Sequence, residues 1–165
     1  MTRSRMASLI GTALLGAACG SALAAELPRS PAPEGTVLYF IAPTDGATVP
    51  ATFTVRFGLS GMGVAPAGVD QANTGHHHLV IDVADADIPL DRPLPATDQF
   101  IHFGGGQTET QVTLAPGRHT LKLVLGNYLH IPHDPPVMSE TITVTVEAPP
   151  TEPRVPAPPA TLDVR

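Results

Sequence analysis

Strict alternation of apolar and polar residues is the feature that most narrows what this chain can form. FTVRFGL sets Phe53, Val55, Phe57 and Leu59 against Thr54, Arg56 and Gly58. RHTLKLVLGN sets Leu121, Leu123 and Leu125 against Thr120, Lys122 and Val124. SETITVTVE sets Ile142, Val144 and Val146 against threonines. A period of two divides a strand between two faces, whereas a helix requires a period of about 3.6. VLYFIAP (Val37 to Pro43), HHLVIDV (His77 to Val83), FIHF (Phe100 to Phe103) and TETQVTL (Thr108 to Leu114) are further strand candidates. Turn-forming runs such as PTDGATVP and APG separate them. Nineteen prolines argue against long helices, and no segment carries a convincing helical pattern. About seven strands in about 110 residues predict an all-β domain, two packed sheets forming an immunoglobulin-like β-sandwich. A barrel or jelly roll is the architectural alternative.

The first residues follow different rules. Arg3 and Arg5 precede an apolar run from Met6 to about Cys19, and Ala22-Leu23-Ala24 supplies small residues for cleavage. Residues 1–25 therefore read as a secretory signal peptide, which predicts a periplasmic or secreted protein. LLGAAC also resembles a lipoprotein processing box, with Gly16 where leucine is usual, so lipid anchoring through Cys19 is an alternative. The apolar run falls short of the roughly 20 residues of a membrane-spanning helix, and no later segment approaches that length. Residues 26–35 read as a proline-rich lead-in, 36–147 as the β-sandwich domain, and 148–165 as a proline-rich tail.

Cleavage before Glu26 leaves no cysteine, hence no disulfide and no thiolate ligand. Fifteen acidic and seven basic residues lie beyond Ala25, a formal charge of −8 with neutral histidines. That balance argues against nucleic acid and anionic membranes as partners.

All seven histidines lie between positions 76 and 133. Strand phase puts His77 on the core face with Leu79, Ile81 and Val83. His76 and His78 share the other face with Val80 and Asp82. His119 is in phase with Leu121 and Leu123, while His130 and His133 lie in the loop NYLHIPHDPP. Imidazoles suit copper, zinc and nickel, and carboxylates can complete or orient the set. His76, His78, His102, His130 and His133 are thus candidate ligands for copper or zinc, with Asp82 and Glu109 as orienting carboxylates. Met62 and Met138 are candidate soft ligands for reduced copper. The alternative is a structural or protein-interaction domain, with an envelope protein as partner, whose histidines clamp loops through hydrogen bonds. His77 and His119 fit that role best, with Asp82, Gln107, Thr108 or Glu109 as acceptors.

Catalytic arrangements are weaker. Gly104, Gly105 and Gly106 lack the lysine and the strand-to-helix step of a phosphate loop; they read as a tight connection letting Gln107 and Glu109 approach the histidines. Ser139 beside Glu140 lacks a nucleophile-elbow context. A hydrolase or carbohydrate-related enzyme is a distant alternative, and a non-enzymatic binding module is expected.

FGLSGMGVAPAG, GHHHLVID, HFGGGQTET, LAPGRHTLKLVLGNYLHIPHDPPVMSE and the final ITVTV together resemble the bacterial family catalogued as domain of unknown function 4399. The resemblance runs from about Thr36 to Glu147. It implies a small exported or envelope-associated domain and brings no established activity. Gly75, His76, His77, His78, Asp82, His102, Gly104, Gln107, Glu109, His119, His130, His133 and Ser139 are among the positions that match its pattern.

Overall fold

The computed structural model describes residues 27–149. The predicted signal peptide, Cys19 and all but the first two residues of the predicted tail lie outside them. The alternating segments all become strands, each trimmed or extended by a few residues. β1 (Val37–Ala42), β3 (Thr52–Ser60) and β7 (Glu109–Thr113) form an antiparallel three-stranded sheet in the order β1-β3-β7. The second sheet has six strands. It runs β2 (Thr48–Val49), β9 (Ile142–Val146), β8 (Gly117–Gly126), β5 (Thr74–Ile81), β4 (Gly63–Val64), with β6 (Phe100–His102) also paired to β5. β2 and β4 are two residues long, too short for alternation to reveal, and both pair in parallel. One 3-10 turn, Asp85–Asp87, interrupts the strands, and no helix among the described residues is long and apolar enough to cross a membrane.

The two open sheets pack as a sandwich. Val55, Phe57, Leu79, Leu121, Leu123, Leu125 and Val144 fill the space between them at 0–3 % exposure. Each buried side chain of this kind contributes about 1.5–3 kcal/mol. A one-residue slip of a strand would turn its whole set outward, so the alternation also holds the register.

An antiparallel sheet commonly leaves its outer face wet. Here residues 82–99 fold back across the large sheet instead, burying Ile88 and Leu94 against Val80, Phe100 and Val124. Lys122, on that same outer face, is drawn under the flap and bonds Asp85 and Thr141. The outer face that carries His76 and His78 is therefore interior at one end.

The lead-in is docked on the loop after β8. Asn127 donates to the Pro28 carbonyl and to Ser30 Oγ, Arg29 bonds the carbonyls of Pro132 and His133, and Pro31 bridges Asp134.

Candidate metal centre

The site begins with β5, whose residues 75–81 are all buried. Alternation sends His77 into the sandwich, where its ring lies 5.2 Å from that of Phe57. His76 and His78 project to the opposite face, their ring centroids 4.7 Å apart. Antiparallel pairing then sets β6 alongside, with His102 directly opposite His78. Side chains facing each other across a pair of strands share a face, and the two rings stack at 5.1 Å.

The fourth imidazole comes from the turn after β8. Asn127 builds that turn: its Oδ1 accepts from the backbone N–H groups of Leu129 (2.9 Å) and Ile131 (3.1 Å). Its own N–H donates to the Ile131 carbonyl, and its carbonyl accepts from His130 N–H. Such closure holds His130 in the left-handed region, φ 66°, uncommon for a residue with a Cβ. The His130 ring is delivered to 4.4 Å from that of His102, and a 3.1 Å hydrogen bond joins His76 Nε2 to His130 Nδ1.

One ring nitrogen from each of His76, His78, His102 and His130 lies within 4.8 Å of every other. Four nitrogens about 2.1 Å from an ion lie about 3.4 Å apart in a tetrahedral set, or about 3.0 Å apart between neighbours in a square base that leaves an axial position open. From the 4.8 Å limit, a contraction of at most about 1.4 Å reaches the tetrahedral spacing. Exposed His102 and half-buried His130 have the freedom to move; buried His76 and His78 supply a fixed floor.

Glycines make room for the rings. A Cβ on Gly126 would stand 2.6 Å from His78 Cε1, and one on Gly104 would stand 2.4 Å from His102 Cε1. The triple-glycine segment therefore serves clearance over His102. Glu109 does not approach the cluster as expected, and Gln107 approaches only His77, through its backbone. Gln107 Oε1 accepts from Gly105 N–H, and Glu109 is drawn to Arg56 across the small sheet.

Burial sets the electrostatics. It pushes the His76 pKa down to about 3, with neighbouring His130, His102, His77 and His133 adding to the fall. It pushes His78 down to about 2, helped by His76, His102 and His130. His102 is lowered too, by burial first and then by His130. Imidazoles held neutral at physiological pH keep a lone pair for a metal ion. Both nitrogens of His78 and Nδ1 of His76 are buried without a protein partner. Buried polar groups are nearly always bonded; both nitrogens of His77 are unpartnered too, on the core side, so it is convergence with His102 and His130 that makes His76 and His78 part of a group that could hold an ion.

The remaining candidates lie elsewhere. His133 is buried beneath β5, its nitrogens 3.2 Å from the Leu125 and Thr74 carbonyls. Asp82 was expected on the face of His76 and His78, but its φ of 54° ends the alternation there. Its carboxylate accepts from His119 Nδ1 (2.6 Å) and Thr120 N–H (2.8 Å). Met138 packs under the outer flap and Met62 against the sandwich core. His119 has the clamp role expected of it. Its other nitrogen faces the Ala115 carbonyl at 2.8 Å, and the hydrogen bond to Asp82 raises its pKa, partly offset by burial and further aided by Ala115 and the Asp82 charge. His77 has neither nitrogen partnered, and burial takes its pKa to about 4 despite a small offset from the Gln107 backbone. Ser139 is committed to structure, accepting from Leu123 N–H and donating to the Glu140 carbonyl. For Gly126 and Asn127 the local sequence signal is a Gly-Asn pair ending a strand, which marks a tight turn and not a site.

A cleft of about 720 Å³ between β6 and β7 is lined by Ile81, Phe100, Ile101, Val112 and Leu114 and carries only His102 of the four histidines. Residues 55–147 match the family described as "Domain of unknown function (DUF4399)". No curated protein and no solved structure matches the chain.

Proposed function

The chain belongs to the DUF4399 family, and from the chemistry of its histidine cluster we propose that it is a binding module for a transition-metal ion, copper or zinc. The ligands are His76, His78, His102 and His130. We place its work outside the cytoplasm, in the periplasm or beyond, on the strength of the signal-like first 25 residues. The role is binding, without catalysis, and no nucleic acid is involved.

The observation that carries the reading is His78. Its two ring nitrogens are buried and unpartnered, and its ring faces His76, His102 and His130. A hydrogen-bonded loop clamp, the competing reading, satisfies its histidines. His119 and His133 behave in that way and are assigned to it. A buried imidazole nitrogen left unbonded costs about 1–3 kcal/mol; a bound ion would relieve one nitrogen on each ligating ring.

Calorimetric titration of the protein lacking residues 1–25 and any affinity tag, with Cu(II) and with Zn(II), tests the proposal. One ion bound more tightly than about 10 µM, near 7 kcal/mol, is expected, with the affinity lost in His76→Ala/His78→Ala. Weaker binding of both metals, or binding that survives the double substitution, refutes it.

A further inference from the structure

We infer that an ion held by the four histidines keeps a solvent-facing coordination position that takes a small monodentate anion. The inference rests on the metal-binding reading above and extends it by one ligand.

The first ground is charge. An imidazole ligates as the neutral group, and no carboxylate or thiolate belongs to the donor set. A divalent ion there would retain its whole charge of 2+. Of the acids in neighbouring segments, Asp82 is engaged with His119 and Thr120, Glu109 with Arg56, Asp91 with Arg92 and Asp134 with Arg29, while Asp98 lines the cleft beside His102 without joining the donor set. The loops around the cluster offer little more. Residues 61–75, 103–107 and 127–133 contain one acid, Asp70, and no lysine or arginine. Ala67 N–H to Gly104 O and Gly68 N–H to Tyr128 O tie these loops into one rim. A partly buried, uncompensated cation is unfavourable unless a counter-charge joins it, and this rim leaves that role to a solute.

The second ground is the direction of exposure. His76 and His78, at 0 % and 1 %, close the floor beneath the cluster. His102 is exposed and His130 half-buried. The open side therefore lies toward these two rings, whose centroids are 4.4 Å apart.

Azide is the probe. Protein loaded with one equivalent of Cu(II) and desalted is titrated with sodium azide at constant ionic strength, followed by absorption and electron paramagnetic resonance. The expected result is a new charge-transfer band and altered copper hyperfine parameters, saturating at one azide per copper and absent from metal-free protein. An unchanged spectrum up to about 100 mM azide, with copper still bound, overturns the inference while leaving the metal site standing. Copper stripped from the protein by azide also overturns it. Failure to take up copper or zinc at the calorimetric step removes the metal reading and this inference with it.

Discussion

Acidifying the metal-free protein from about pH 7.5 to about pH 5 should remove much of its stability. His76, His77 and His78 are buried, with pKa values lowered from 6.5 to about 3, 4 and 2. On unfolding, each returns to its ordinary value and gains a proton below pH 6.5. The unfolded chain therefore binds more protons throughout this window, and stability falls as pH falls. At about pH 5 the three folded-state groups are still neutral, so each contributes a loss of 1.5 pH intervals at about 1.36 kcal/mol, or about 2 kcal/mol. Together they take about 6 kcal/mol, comparable to the whole stability of a small domain. His119 acts in the opposite sense. Its raised pKa gives stability present below 6.5 and lost as pH rises through the folded value, but the pair with Asp82 is partly exposed and modest in weight. Urea denaturation at several pH values, followed by far-UV circular dichroism, measures the slope. The unfolding midpoint should collapse between pH 6.5 and 5, and bound Zn(II) should delay the collapse by favouring the neutral imidazoles. A flat stability profile over that interval would refute the claim that the three are neutral and desolvated in the fold.

Three substitutions probe the supports of the site. Gly126→Ala sets a Cβ 2.6 Å from His78 Cε1; it should cost about 1–3 kcal/mol of stability in urea and weaken calorimetric metal affinity about 10–100-fold, with all four ligands intact. Asn127→Ala removes the acceptor of two backbone N–H groups in the His130 turn; a loss of about 2–4 kcal/mol and a similar fall in metal affinity are expected, whereas unaltered affinity would show that the turn does not position His130. Asp82→Asn should destabilise by about 1 kcal/mol near pH 6 and by less as pH rises through the raised His119 pKa; a cost that does not change with pH, measured by urea titration, would count against the charged pair.

Much of this molecule follows from local pattern. A period of two is a property of neighbouring residues, so it located the seven longer strands and the core faces of β3, β8 and β9. It also separated inward His77 from His76 and His78 without knowledge of any partner strand. The two-residue strands carry no such pattern and emerge only when β9 and β5 are in place beside them. The reach of His102 and the loop histidines depended on long-range geometry: the register of β6 on β5, and the Asn127 turn that holds His130 at a positive φ while turning His133 underneath. The left-handed backbone at Asp82 likewise broke the alternation that placed it with His76 and His78, and Arg56 on the adjacent strand claimed Glu109. Sequence by itself determined which residues were inward, because side-chain direction is set by the residue's own strand. Only tertiary structure decided which imidazoles share a centre, because register and loop closure are settled between segments tens of residues apart.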